Sequence, residues 1–441
     1  MLRVLTCLAL TWSLSVSAAW ADWNRFRGPA GAGAVDGPAV PTTYSTEKNL
    51  AWRTELPGKG VSSPIISGDR VYLTAYTGYG LSLESPGDPK DLVRHLLAFD
   101  RAGGQELWRA SLASSGGEDP FQGFITQHGY ASSTPVTDGE RIYALFGKTG
   151  LVAFDRDGKE LWRRALGTQS DAARWGDASS PVLVDGVVVV NAGVLGRHVA
   201  GVDKLTGEVL WSISDENYTN SWSTPAVYRS GDTVQVLVHF PSKIMGVEPK
   251  SGEVVWHATT PLDDATSPSI VIHGDVAYLM GSRAGHAQAV KLGGQGDVSK
   301  THVLWQSRVR AGITTPVFAN GALYWTSSGM FMALDTKTGE ELYRARLPRL
   351  GGPTGGFPNA DYSSPIAVGG TVLLFTRNGE SYAIEGSDTF NVLAHNAAFT
   401  GDASSFRATP AASGGELFMR SDAYLYKFAA EPASTPSASA P

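Results

Sequence analysis

A serine or threonine followed by proline, opening a run of apolar residues, occurs eight times along this 441-residue chain. The prolines are Pro64, Pro135, Pro181, Pro225, Pro268, Pro316, Pro365 and Pro410, and every interval after the first lies between 43 and 49 residues. Each step leads through a tight turn into a second strand-like run, as in SGDRVYLTAY at 67–76, TDGERIYALF at 137–146 and VDGVVVVNAG at 184–193. Asp-Gly, Asn-Gly and Gly-Asp accept the positive φ that a two-residue hairpin demands. A unit of this length built from short strands does not bury its apolar face alone, and stacking such units around a ring gives one four-stranded blade per repeat. The expected fold is therefore all-β, an eight-bladed β-propeller of four-stranded antiparallel blades.

A third strand with its own turn and a closing aromatic completes the unit, as in LLAFDRAGGQELW (96–108), LVAFDRDGKELW (151–162), VAGVDKLTGEVLW (199–211), IMGVEPKSGEVVW (244–256) and FMALDTKTGEELY (331–343). In these copies the Asp bonds its own backbone to start the turn, Gly takes the left-handed position, and the aromatic packs between blades. The expected blade anchors are Trp52, Trp108, Trp162, Trp211, Trp256, Trp305 and Tyr343. The final repeat supplies three strands, around 409–413, 416–419 and 423–428, whereas NLAWRTELPG at 49–58 carries a fourth-strand Trp with no strands before it. Pairing of residues 49–56 with the last blade would close the ring and leave no open sheet edge. The propeller is thus expected over residues 49–430.

The A-x-D-x-x-x-G-x-x-x-W pattern resembles the repeat of the pyrroloquinoline-quinone (PQQ) dehydrogenase-like propellers, carried by Asp100, Gly104 and Trp108, by Asp203, Gly207 and Trp211, and by Asp335, Gly339 and Tyr343. WNRFRGPAGAG at 23–33 is similar to the lead-in of small secreted members of this group, among them propellers that serve in outer-membrane protein assembly. The lead-in, residues 22–48, reads as a coil packed along the barrel wall. The resemblance implies blade packing and does not itself imply a bound quinone.

Residues 1–21 read as a signal peptide: Arg3 begins a short positive region, Val4 to Val16 is mostly apolar, and Ala19-Trp20-Ala21 gives a small-residue cleavage site. Export to the periplasm or cell envelope is expected, and no later run has the ~20 apolar residues of a transmembrane helix. Cys7, the one cysteine, lies inside that leader, so the mature chain has no thiol for a disulfide, a metal or catalysis. Without Arg3 it carries 35 basic against 42 acidic residues with no long block of either sign, a balance that argues against nucleic acid. Residues 431–441, EPASTPSASAP, read as a disordered tail. A closed ring has no edge to pair, and a monomer is expected.

In a four-stranded blade the turns between first and second strands and between third and fourth share one face, and here they are tight. The longer connections, such as 77–94, 109–131 and 344–360, fall on the opposite face, which is where a rigid scaffold places binding residues. The positions just before each Ser/Thr-Pro step sit at the inner rim of that face. They are His128, Tyr130, Arg174, Trp175, Asp177, Trp222, Asp264, Asp361, Tyr362, Phe406 and Arg407, a set of aromatics and mixed charges suited to a protein or a small polar or aromatic ligand. Asp155-Arg156-Asp157-Gly158 looks like a fragment of a calcium loop but coincides with the repeated hairpin turn. Asp263-Asp264 and Asp215-Glu216 read as solvated surface, the nine histidines show no zinc-site spacing, and no metal site is expected.

Three functions fit this reading. The first is an exported, non-catalytic platform that binds or assembles partners through the long-loop face, without a cofactor. The second is a PQQ-dependent quinoprotein dehydrogenase oxidising an alcohol or sugar, which needs calcium, an acidic base such as Asp177, Asp264 or Asp361, and a flat platform such as Trp175 or Trp222. The alcohol-oxidising members of the resembled family carry an adjacent cysteine pair over the quinone, which this chain lacks. The third is a carbohydrate-binding propeller. Catalytic residues are not identified.

Overall fold

The structure is a computed structural model that describes residues 22–262, 265–283, 285–327, 329–348 and 362–430. The expected leader and tail, Asp264 and Asp361 lie outside the described residues.

The strands form eight sheets, and each is one antiparallel blade of the expected kind. Blade 1 runs Ile65–Ser67, Arg70–Thr77, Val93–Asp100 and Glu106–Ala113 from the channel outward. Blades 2 to 7 repeat this order within residues 136–164, 182–214, 226–259, 271–307, 317–346 and 366–396. Blade 8 takes Ala411–Ser413, Glu416–Arg420 and Tyr424–Ala429, with the N-terminal strand Leu50–Glu55 as its outer strand in the register Leu50 to Phe428 and Glu55 to Tyr424.

Packing is a ring of apolar layers between neighbouring blades. Ile65, Tyr72, Leu96 and Ala98 of blade 1 meet Ile142, Ala144 and Phe154 of blade 2, and blades 2 and 3 pack Tyr143 and Leu145 against Val188 and Val190. Each of the larger of these side chains (Ile, Leu, Val, Phe), fully removed from water, contributes about 1.5–3 kcal/mol, so the fold is held at every blade junction rather than in one central core.

The aromatic-turn motif is the second element of these junctions. Trp52, Trp108, Trp162, Trp211 and Trp305 each donate their indole N–H into the third turn of the next blade, to the carbonyls of Arg101, Arg156, Lys204, Pro249 and Thr336, at 2.8 to 3.1 Å. The accepting residue always follows the motif's acidic residue. The motif glycines Gly104, Gly158, Gly207, Gly252 and Gly339 have φ between +72° and +85°, and a Cβ on any of them would come within 2.5 to 2.6 Å of the incoming indole. Glycine is therefore required twice, by the turn and by the ring that lies on it. Trp256 is the exception: the turn of blade 5 is longer, its Gly296–Asp297 adds a parallel strand beside Trp256 and His257, and the indole bonds Gln235 of its own blade. Tyr343 packs at a tilt against Phe331 and Phe390 instead.

The Ser/Thr-Pro step has an equally specific role. Its second hydroxyl accepts the backbone N–H of the equivalent residue one blade earlier, through Ser63, Thr134, Ser180, Thr224, Ser269, Thr315, Ser364 and Thr409 in turn, at 2.9 to 3.1 Å. Seven junctions are joined in this way. Blade 5 departs from the sequence pattern: Ser269 takes the belt position, so the residue equivalent to the repeated proline is Ile270 and Pro268 lies two residues upstream. Counted from Ile270, the neighbouring intervals become 45 and 46 residues.

The lead-in does more than line the wall. Asp22 accepts from Gly68 in the first tight turn, Trp23 and Asn24 accept the N–H groups of Ile66 and Thr137, and the chain then crosses the channel beneath its floor. There the fully buried Arg27 donates to the carbonyls of Thr315, Pro316 and Pro365 in blades 6 and 7, and to Ala32. Ala34–Val35 pairs in parallel with Ala367 and Val368, and Val40 and Tyr44 fill the layer between blades 7 and 8.

Candidate functional site

With its floor closed by Phe26, the channel becomes a cavity of about 260 Å³ open towards the long-loop face. All eight belt hydroxyls line it. Above them stand Phe124 and His128 from the connection between blades 1 and 2, Trp175 from the next, Trp222 from the next, Arg283 from a hairpin of blade 5, Ile313, Tyr362 and Arg407. The site is thus assembled from residues far apart in the chain, held by the blades beneath them.

Local structure fixes the aromatic wall. Asp171 accepts the N–H groups of Ala173 and Trp175 at 2.8 Å, and the left-handed Arg174 (φ 54°) turns the chain so that Trp175 enters the mouth. Trp175 then lies 5.3 Å from Trp222 and 4.8 Å from Phe124 between ring centres. The Trp222 indole donates to Gly176 at 2.6 Å, and the Arg283 guanidinium sits 4.8 Å above the Trp175 ring.

His128 ends the short helix Ile125–His128 and holds this wall in place. Its Nε2 is 2.7 Å from the Trp175 carbonyl and its Nδ1 is 2.7 Å from Ser132 Oγ, so both ring nitrogens are engaged. Burial holds the imidazole down at about 4, so it is neutral at physiological pH. Arg407 is nearly buried; it donates to the carbonyls of Thr126 and Gln127 and pairs with Asp422.

Of the eleven predicted rim residues, His128, Trp175, Trp222, Tyr362 and Arg407 come together around this cavity. Tyr130 and Asp177 face a smaller neighbouring cavity under the same loops, beside the bidentate Arg94–Glu118 pair (2.8 Å) and the Lys148–Asp119 pair (3.5 Å). Burial raises Asp177 to about 7, against the opposing hydrogen bonds from the Ser179 and Ala178 backbone and from Ser133 Oγ at 3.4 Å. Arg174 projects outward, exposed. Phe406 is buried against Phe399 and Tyr426, because the residue after it, not Phe406 itself, points at the channel. The sequence reading missed Phe26, Phe124 and Arg283. Only Phe26 carried a signal, its place in the FRGP segment.

Fold and site define a PQQ-like β-propeller with a single-ended central cavity. Residues 94–345, more than half of the chain, match the family described as outer membrane protein assembly factor BamB, and the chain belongs to that family. It is 22% identical over 354 residues to the tetrathionate hydrolase of Acidithiobacillus ferrooxidans, a match covering 74% of this chain and 64% of that protein; the chain therefore spans less than two thirds of this curated relative. Similar solved structures include BamB from Moraxella catarrhalis (TM-score 0.58, 12% identity, 87% of this chain and 100% of that one). A europium-containing methanol dehydrogenase also matches (TM-score 0.63, 12% identity, 93% and 98%), as does the quinohemoprotein alcohol dehydrogenase of Comamonas testosteroni (0.61, 13%, 93% and 81%). At these identities the likeness is one of fold.

The cavity can be tested against the quinone and calcium that such dehydrogenase folds suggest. Calcium takes six to eight oxygen ligands, with carboxylates prominent among them. The described lining is hydroxyls, aromatic rings, an imidazole and guanidiniums, and Asp177 faces the neighbouring cavity. Among the described residues this donor set does not fit a calcium-bound quinone.

Proposed function

We propose that the chain is an exported, non-catalytic propeller that binds its partner through the long-loop face, with the channel mouth at the centre of the contact. The observation carrying this reading is the convergence of Phe124, Trp175, Trp222, Tyr362 and Arg407 from five separate interblade connections on one cavity with a closed floor. A rigid rim of aromatic and arginine anchors is what a binding surface concentrates. No general base stands free in the described lining, since both nitrogens of His128 are already used. The family's description as an assembly factor and the expected leader support a periplasmic or envelope setting with a protein partner.

A second reading, hydrolysis of a sulfur oxyanion, follows from the curated relative's name and from the guanidiniums at the mouth. The two separate in one set of experiments. The exported chain is loaded with PQQ and calcium, or given tetrathionate, and turnover is followed by dye reduction and by sulfur-product analysis. Partner capture from the exported fraction is measured in parallel for the wild type and for Trp175→Ala and Trp222→Ala. Loss of capture in the variants without turnover is expected; turnover on either substrate overturns the non-catalytic reading, and undiminished capture removes the mouth from the contact.

A further inference from the structure

We propose that the channel cavity is a site for a small oxyanion with an apolar body, its charged oxygens held at the seam of blades 7, 8 and 1 and its body lying against Trp175 and Trp222. The inference rests on the reading of the mouth as a binding centre and adds the chemistry of what enters it.

The first support is charge. Arg407 lies between blades 7 and 8, Arg377 in a turn of blade 7 and Arg420 at the end of a blade 8 strand, and each senses the others or Asp422 electrostatically. Among the described residues Asp422 is the one carboxylate these arginines share. Across the mouth Arg283 rests on Trp175 and has no carboxylate partner among the described residues. Of these arginines Arg407 and Arg283 line the cavity, Arg407 nearly buried and Arg283 exposed at the mouth, so the field of Arg407 is the less screened and that of Arg283 draws anions towards the opening.

The second support is hydrogen bonding. Three buried donors lining this cavity, Arg407 Nε, Tyr362 OH and Ser63 Oγ, have no partner among the described residues. Ser63 is the one belt hydroxyl that receives no N–H from its neighbouring blade, so it is the freest of the eight to turn its O–H towards a bound acceptor. Buried polar groups in native proteins are almost always satisfied. Three donors on one wall call for acceptors, and an oxyanion presents nothing else. Phe26 at the floor and the rings of Phe124, Trp175 and Trp222 present a broad aromatic surface to the cavity, which suits a ligand body that is apolar or flat. A cavity of about 260 Å³ limits it to the small end of ligand size.

A carboxylate and a sulfur oxyanion both meet this description, and titration calorimetry on the exported chain distinguishes them. The probes are benzoate, benzenesulfonate and tetrathionate, with sulfate as the oxyanion lacking an apolar body and benzamide as the neutral flat control. At least one of the first three is expected to bind saturably, about tenfold or more tighter than sulfate or benzamide, and to weaken with added salt. Arg407→Gln is expected to weaken it about tenfold, the loss of a charge-assisted hydrogen bond, and Arg283→Gln, which removes a charge across the mouth, about threefold. Ser63→Ala, which removes no belt bond, is expected to keep the fold and weaken binding severalfold, so the site stays testable if Arg407→Gln does not fold. Preference among the three probes identifies the headgroup. Equal binding of benzamide, no binding of any of the three anions at millimolar concentration, or full affinity in both Arg283→Gln and Ser63→Ala would overturn the anion site. Should those results coincide with lost partner capture in Trp175→Ala, the binding-face reading stands and only the ligand chemistry fails.

Discussion

The joint between an indole and the glycine of the next blade gives a quantitative test. Gly158 has φ +85° and lies under Trp108; a Cβ placed there would be 2.6 Å from the ring. Gly186, in the first hairpin of blade 3, has nearly the same φ, +87°, with nothing within 4 Å of that position. Alanine at either site carries a left-handed backbone cost of about 1–2 kcal/mol. Only at Gly158 must the indole also move, losing its 2.9 Å bond to Arg156, worth about 1 kcal/mol, and roughly as much again in interblade packing. Gly158→Ala is therefore expected to destabilise the protein by about 2 kcal/mol more than Gly186→Ala. Urea unfolding followed by tryptophan fluorescence measures the difference. In a Trp108→Ala background the excess should vanish, a coupling of about 2 kcal/mol in a double-mutant cycle. Equal losses at the two glycines, or no coupling to Trp108, would refute the claim that the repeat's glycine exists to seat the neighbouring blade's ring.

The hydroxyl belt predicts that Ser180→Ala, which strands the buried Thr134 N–H, costs about 1–3 kcal/mol, whereas Ser63→Ala stays within about 0.5 kcal/mol of the wild type in the same unfolding assay. Asp177 predicts a pH effect with a definite sign. Its folded-state value, about 7, exceeds the ordinary 3.8, so between those limits the folded protein holds a proton the unfolded chain has lost, and stability falls as pH rises through that window. Asp177→Asn should abolish this slope in unfolding measurements between pH 5 and 7.5. His128 works the other way, being neutral when folded down to about 4, so it lowers stability as pH falls from 6.5 towards 4.

The fold was legible because its signals are local and repeated: Asp155 accepts the N–H groups of Asp157 and Lys159 as a turn residue should. Blade 5 shows the limit of pattern reading. Thr266-Ser267-Pro268 has the right residues, but the loop before it carries Ser269 into the belt, a two-residue offset set by packing against blades 4 and 6. The site was half legible for a related reason. The rule of taking residues before each step found Trp175, Trp222 and Arg407, which the blades hold in fixed places, but it did not distinguish Phe406, which turns into the core, from its neighbour. Arg283 lies in a hairpin within a blade and Phe26 in the lead-in, so neither falls where the repeat directs attention; only tertiary contact brings them to the channel.

The buried Arg27 has a consequence in time. Its guanidinium grips carbonyls at positions 316 and 365, nearly three hundred and more residues downstream, and the strand that follows it at 50–55 waits for Tyr424–Ala429. Contacts this distant in sequence form late and slowly. The lead-in is thus among the last segments to find its place, and until the eighth blade is complete an unpaired cation, two tryptophans and an open strand stay exposed. If the chain crosses a membrane before it folds, as the expected leader would have it, that exposure travels with it until the ring shuts.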